Sequence, residues 1–306
     1  MAFTSKDVMA LREKTGVGMM DCKKALQESD GDMDKAIDYL REKGLAKQAK
    51  KASRVAAEGM AYATVDYDKK VGVVVEINSE TDFAAKSDNF VNFVKEIAAV
   101  IINENPADVD ALLAANVNGQ TVADLLRDKV MVIGENLSIR RFVRYEGDCV
   151  AYVHGGGRIG VLVKFEADAA ASGSEALIEC GKDVAMQIAA LNAPYLNEAS
   201  VPADVVEHEK EVQLALIKND PKNASKPEMV LEKMITGKMR KYFEENCLVN
   251  QAFVKDGNLT VGQYVDQQAK AAGGAMALTA FVRFEKGEGI QKREDDFASE
   301  VASMVK

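Results

Sequence analysis

Glu58-Gly59-Met60-Ala61-Tyr62-Ala63-Thr64-Val65, a polar turn, and then Val71-Gly72-Val73-Val74-Val75-Glu76-Ile77-Asn78 return in altered form 88 positions later, starting at Glu146-Gly147. At that offset Ala63 meets Ala151, Val65 meets Val153, Lys70 meets Arg158, and Gly72, Val73 and Val75 meet Gly160, Val161 and Val163, without a gap. Internal repeats of this kind are decisive for a fold, because each copy is one structural unit. Each copy alternates apolar residues, turns through a polar or glycine-rich segment and enters a β-branched run, the pattern of a β-hairpin. In both copies a helical pattern follows. In the first it covers Asn89 to Asn103, with Phe90, Val91, Val94, Ile97, Ala98 and Ile101 on one face; in the second it covers Leu177 to Leu191. The expectation is an α+β fold with a core of two related α+β subdomains.

Outward from the repeat, Thr121 to Ile133 reads as a helix stopped by Gly134, and Leu137 to Tyr145 as a strand with Leu137, Ile139 and Val143 on a shared face. Residues 203–247 carry two long helical patterns around Lys218-Asn219-Asp220-Pro221-Lys222-Asn223, which predicts an antiparallel helical hairpin. Met276 to Glu285 is a further β-like run, and Asp295 to Val305 a last helix. Toward the N-terminus, residues 1–45 hold three short helical patterns. The first is capped by Thr4 or Ser5 and ended by Thr15-Gly16, the second carries Met20, Cys22, Ala25 and Leu26, and the third runs from Met33 to a stop at Gly44. The expected division is a three-helix module at 1–45, a basic helical linker at 46–57, core subdomains at 58–145 and 146–290, the hairpin inserted in the second at about 203–247, and a C-terminal helical module at 291–306.

Composition narrows the function. A 306-residue chain with 47% apolar residues can bury a substantial core, and its net charge of −9 repels polyanions and anionic membranes overall. A protein partner is therefore expected, with no nucleic acid and no membrane. Cys22, Cys149, Cys180 and Cys247 lack Cys-x-x-Cys spacing, which argues against a disulfide framework or a zinc site and fits a reducing cytoplasm. No apolar signal core or membrane-length run is found, so the expectation is a cytoplasmic protein, neither exported nor membrane-spanning. With only His154 and His208 available as imidazole bases, a hydrolytic constellation is poorly supplied; His208 lies among Glu207, Glu209 and Lys210 on a charged helix face.

Three motifs each carry two readings. Gly155-Gly156-Gly157-Arg158-Ile159-Gly160 spells a dinucleotide fingerprint, but a phosphate loop must open a helix, and Val161-Leu162-Val163 continues as a strand. No cofactor is expected. Asn78-Ser79-Glu80-Thr81-Asp82-Phe83 sets an aromatic residue beside acidic ones where the two repeats diverge; periodicity alone favours a capped helix start with Phe83 as a hydrophobic staple. Met19-Met20 are adjacent helical residues that cannot both face inward well, which predicts one of them exposed as an adaptable contact.

The run from Leu11 to Leu26, with Thr15-Gly16-Val17-Gly18-Met19-Met20 at its centre, resembles the opening of the elongation factor Ts family. Thr81-Asp82-Phe83 matches that family's threonine-aspartate-phenylalanine motif. Ile133-Gly134-Glu135-Asn136 with Arg140-Arg141, His154-Gly155 with Arg158-Ile159-Gly160, and Phe281 to Glu285 with Gly287-Glu288-Gly289-Ile290 extend the resemblance from end to end. Ala84 stands where valine is usual and Val17 where alanine is common. The resemblance implies a ubiquitin-associated-type fold for the first module, a coiled-coil protrusion for residues 203–247, and guanine nucleotide exchange on the GTPase elongation factor Tu, without enzyme activity or metal of its own. It further implies that Asp82 and Phe83 enter the GTPase domain near its Mg²⁺, with Thr81 and Ala84 shaping that loop. Met19 and Met20 would hold the same domain, and Ile133, Gly134 and His154 would touch it beside the wedge. A nucleotide-dependent enzyme using the glycine loop and an adaptor built on the first 45 residues are the competing readings.

Overall fold

The computed structural model describes residues 3–223 and 226–291, so the helix expected over Asp295–Val305 lies outside the described residues. Helix α1 (Ser5–Thr15) starts where the Asp7 carboxylate takes the Thr4 N–H at 2.7 Å and ends at Gly16, whose φ of 67° needs no Cβ. Helix α2 (Met19–Glu28) turns Cys22, Ala25 and Leu26 inward, and α3 (Met33–Lys51) is capped by Asp32, which accepts from the Asp34 and Lys35 N–H groups. The three close over Val8, Leu11, Val17, Ala36 and Leu40. The expected stop at Gly44 is corrected: α3 continues to Lys51 through that glycine. A Cβ at Gly44 would come within 3.3 Å of Arg127 and Met131, so this glycine marks a close helix–helix approach instead of a terminus.

The core begins with β1 (Glu58–Asp66) and β2 (Val71–Ser79), paired antiparallel from Glu58↔Ser79 to Asp66↔Val71. The short helix α4 (Asp82–Ala85) and the long α5 (Asp88–Glu104) follow, then α6 (Val109–Ala114), a two-residue pair β3 (Asn116–Val117) and β4 (Gln120–Thr121), α7 (Val122–Ile133), and β5 (Ser138–Glu146). Strand β5 joins the free side of β2, giving the order β1-β2-β5. The second half repeats the plan with β6 (Asp148–His154), β7 (Ile159–Ala167) and α8 (Glu175–Leu191). Two helices, α9 (Ala203–Asn219) and α10 (Glu228–Asn246), are inserted next and pack on each other, with Ile217 and Met239 buried. The plan then resumes with β8 (Ala252–Phe253), β9 (Asp256–Thr260), α11 (Val261–Ala271) and β10 (Met276–Glu285), which completes the order β10-β7-β6.

The repeat is therefore longer than the hairpin and helix legible in the sequence. Helices α7 and α11 open alike, each after a small hairpin, with Thr121 and Thr260 in capping boxes and Val122 and Val261 fully buried. The intervening α9 and α10 displace the second copy and hide the match from a fixed-offset comparison.

Each sheet is covered on one face by helices. Phe90, Phe93, Val94 and Ile97 of α5 and Leu126 and Val130 of α7 meet Val73, Val75 and Ile77 of β2, while Leu177, Val184 and Ile188 of α8 and Val265 of α11 meet Val161, Val163 and Phe165 of β7. The opposite faces meet each other through Ala61, Ala63, Val74, Cys149, Leu162 and Phe284, with small residues concentrated on β1. Gly72 and Gly160, equivalent in the repeat, make this approach possible. A Cβ on Gly72 would lie 2.6 Å from Leu162 Cδ1, and one on Gly160 would lie 2.9 Å from the Ala61 carbonyl oxygen.

Strand β5 corrects a second expectation. Its register on β2 slips by one residue between Glu76 and Ile77, leaving Arg140 as the extra residue of a β-bulge. Side-chain parity inverts there, so Leu137 and Ile139 face the α5 side while Val143 and Tyr145 face the other sheet. The bulge also lets two consecutive arginines reach one carboxylate, which a regular strand would forbid. Arg140 Nη1 donates to Glu76 Oε1 at 2.9 Å and Arg141 Nε to Oε2 at 2.6 Å. Glu76 is fully buried and also receives the Gly287 N–H at 2.8 Å and Asn78 Nδ2 at 3.1 Å.

Two stability outcomes follow from this packing. Gly160→Val drives a branched side chain into the Ala61 backbone and lowers unfolding free energy by about 1–3 kcal/mol in urea denaturation. Burial alone would raise the Glu76 pKa, but its contacts with Gly287, Arg140, Arg141 and Asn78 outweigh burial and hold it below the ordinary 4.5. A lowered carboxylate pKa contributes stability that is complete above the unfolded value and is lost as pH falls through the folded one. The stability gap between wild type and Glu76→Gln accordingly narrows below pH 4.5, and a gap independent of pH would assign the loss to shape instead of charge.

Candidate functional site

Strand β2 runs straight into the segment where the repeats diverge. Thr81 is the N-cap of α4: its Oγ1 accepts the Ala84 N–H at 3.2 Å, and Ala84 and Ala85 are buried beneath it. The staple expected of Phe83 is absent. Its side chain is 85% exposed, pointing away from the core that Ala84 and Ala85 enter. The ring stands in solvent while the Thr81 cap and the two buried alanines hold the backbone of the turn beneath it. Beside it Asp82 is exposed and paired with Lys86, Oδ2 to Nζ at 2.6 Å. That hydrogen bond and charge, with Lys286 adding to them, hold the Asp82 carboxyl below its ordinary pKa.

The loop after α7 lies against this segment. Gly134, in the left-handed conformation at φ 84°, ends α7, and its carbonyl accepts from Lys51 Nζ at the end of α3. The next residue, Glu135, takes the Thr81 N–H at 3.0 Å and the Thr81 hydroxyl at 2.6 Å. In return Glu80 Oε1 accepts the Asn136 N–H at 2.6 Å. Ile133 is half-buried against the first core, and Gly134 is exposed.

His154 closes β6 and is exposed, its Nδ1 3.0 Å from the Tyr152 hydroxyl. The turn beyond it, Gly155-Gly156-Gly157, has positive φ at all three glycines and leads directly into β7, so no helix opens there. Gly157 carries a packing role instead: a Cβ would lie 2.4 Å from Met60 Cγ, and its carbonyl accepts the Ala61 N–H at 2.8 Å. Met60 and Ala61 pair with Ile77 and Glu76, which places this turn at the end of the sheet from which Thr81 departs. Lys286 reaches the same end, where it donates to Glu58 Oε2 at 2.5 Å.

Met19 and Met20 do not face inward together; both are exposed, Met20 at 75%, and Cys22, Ala25 and Leu26 supply the inward face without them. The module that carries them rests on α7 through Gly16 against Val132, and Met131 packs on its core. The structure thus gathers Thr81, Asp82, Phe83, Ala84, Ile133 and Gly134 around one loop pair. It places His154 on a neighbouring turn and Met19 and Met20 on the module docked to α7. Sequence reasoning assigned no role to Glu80, Glu135 or Lys86, although the run Gly134-Glu135-Asn136 just past a helix stop was a legible cue.

Among the described residues no group of His, Cys, Asp and Glu side chains could hold a metal ion, and the four cysteines are buried thiols. Burial pushes Cys149 up to about 11 and Cys180 up to about 12, so neither is a thiolate nucleophile. Among the described residues no helix is long and apolar enough to cross a membrane.

Fold and site together define an α+β protein with a solvent-facing loop pair at one end of two stacked sheets. A profile of the family described as Elongation factor TS matches residues 80–288. Proteins called Elongation factor Ts are similar over nearly the whole chain. The one from Clostridium perfringens (strain SM101 / Type A) is 48% identical over 305 residues, covering 98% of each chain. The one from Trichlorobacter lovleyi is 47% identical over 312 residues, covering 100% of this chain and 99% of the relative. That of Clostridioides difficile (strain 630) is 47% identical over 308 residues and 99% of each. The chain belongs to the elongation factor Ts family and so to the translation elongation factors of protein biosynthesis.

Because the Phe83 ring buries so little, Phe83→Ala leaves the melting temperature within about 1–2 °C of wild type. Thr81→Ala, which removes the cap, lowers stability by about 1 kcal/mol. Thermal melts followed by circular dichroism read both.

Proposed function

We propose that this chain is a guanine nucleotide exchange factor for GDP-bound elongation factor Tu, that it acts by contact alone, and that Phe83 and Asp82 are its working residues. The observation that carries the reading is the Phe83 ring, 85% exposed on a helical turn that Thr81 caps and that Ala84 and Ala85 seat against the core. A wedge must stand unburied on a held backbone before its partner arrives, and Phe83 does so on the turn capped by Thr81.

The chemistry of the target makes a wedge sufficient. Mg²⁺ demands near-octahedral oxygen geometry and joins the nucleotide phosphates to the phosphate-loop hydroxyl, so a small displacement of its shell removes much of the GDP affinity. Phe83 displaces the elements around the ion, and Asp82 disturbs their polar contacts once it exchanges Lys86 for partner groups. Thr81 and Ala84 hold the turn. Ile133, Gly134 and His154 make flanking contacts, and Met19 and Met20 grip the GTPase domain through their adaptable side chains. In this reading residues 1–45 form a ubiquitin-associated-type module joined through 46–57 to core subdomains at 58–145 and 146–290. Helices α9 and α10 form a coiled-coil protrusion. The chain works in the cytoplasm, with no nucleic acid, membrane, cofactor or covalent step involved.

Reciprocity then requires GDP to weaken the protein–protein complex by the same factor by which the complex weakens GDP. Release of a fluorescent GDP analogue from elongation factor Tu is the direct test. Wild-type protein accelerates release, and Asp82→Ala and Phe83→Ala each remove at least about tenfold of that acceleration, a change of about 1.4 kcal/mol in barrier. Folded wild-type protein without effect would overturn the reading.

A further inference from the structure

We infer that Glu135, together with Glu80, is a positioning residue that presents the Thr81–Phe83 turn to the partner, an inference that rests on the exchange reading above. The geometry is a reciprocal clamp between two loops. Glu135 accepts the backbone N–H of Thr81 at 3.0 Å, and Glu80 accepts the backbone N–H of Asn136 at 2.6 Å, so each loop's carboxylate fixes the other loop's main chain. Charge-assisted bonds from carboxylate to backbone N–H are among the stronger hydrogen bonds, and a pair in opposite directions removes both sliding and hinging between the segments.

Glu135 also decides what the Thr81 hydroxyl does. The hydroxyl proton goes to Glu135 Oε1 at 2.6 Å, which leaves the oxygen lone pairs for the Ala84 N–H at 3.2 Å. The cap that starts α4 is therefore oriented from a loop 54 residues away in sequence. A four-residue helix is not stable alone, so the orientation of this turn depends on its cap, on the burial of Ala84 and Ala85, and on the clamp that fixes the cap.

The clamp is anchored on a third segment. Asn136 Nδ2 donates to the Arg54 carbonyl at 2.9 Å, and Arg54 Nη1 lies 3.5 Å from Glu80 Oε1. Residues 51–54, which end α3 and lead out of the N-terminal module, are thus tied to the loop that carries Phe83. One hydrogen-bonded node sets the wedge relative to the segment that holds the methionine-bearing module.

The test uses the full chain and two readouts. In the free protein, hydrogen–deuterium exchange is followed at the Thr81 and Ala84 amides; with elongation factor Tu, release of a fluorescent GDP analogue is followed across a range of factor concentrations. Glu135→Ala is expected to deprotect both amides and to lower the maximal stimulated rate about tenfold, while the half-saturating concentration changes less than about threefold, since other contacts still bind the partner. Glu135→Gln keeps one acceptor oxygen and is expected to fall between the two. A wild-type maximal rate in Glu135→Ala, or a slowed rate with both amides still protected, overturns the positioning role and leaves the exchange reading standing. No acceleration by the wild-type chain overturns the exchange reading and this role with it.

Discussion

The close contact between two three-stranded sheets is the constraint on which the rest of the molecule depends. Each sheet has helices on one face, so the other face must find cover, and the two copies of the repeat cover each other. Small residues, Ala61, Ala63 and the glycines Gly72 and Gly160, bring the backbones together, and the rigid block that results has its loops fixed at both ends. The bulge at Arg140 is part of the same solution. It turns Val143 and Tyr145 toward the partner sheet and frees two arginines to neutralise Glu76, which in turn holds the Gly287 turn after β10.

On that block the candidate site is a loop arrangement, and its character comes from what is left unburied. In the second copy of the repeat, β7 runs into Glu166-Ala167-Asp168, and the Asp168 carboxylate caps the local turn through the Ala170 and Ala171 N–H groups. In the first copy the corresponding stretch is longer in its polar contacts and exposes an aromatic ring. The repeat supplies the scaffold twice, and its two copies differ in the loop that follows the central strand.

Much of the architecture was legible beforehand, for particular reasons. The hairpins and α5 follow from strong periodicity, and the helix ends at Gly16 and Gly134 follow from left-handed conformations that glycine accepts at little cost. Three readings failed where a tertiary contact decided the matter. Gly44 looked like a stop and is a crossing point under Arg127 and Met131; Phe83 looked like a staple and is solvent-exposed; Leu137, Ile139 and Val143 looked coplanar and are split by a bulge. The second half of the repeat, α7 with β5 matched by α11 with β10, was obscured because α9 and α10 lengthen the spacing.

By itself the sequence determined the class of fold, the repeat, the placement of most helices and strands, and the short motifs around Met19, Thr81 and His154 that point to one family. These are local properties, set by side-chain period, caps and turns within a few residues. The tertiary structure alone decided that Thr81 is held by Glu135 and that Glu80 holds Asn136. Those facts depend on hydrogen bonds between segments more than fifty residues apart, and neither periodicity nor propensity encodes which distant carboxylate will meet a given backbone amide.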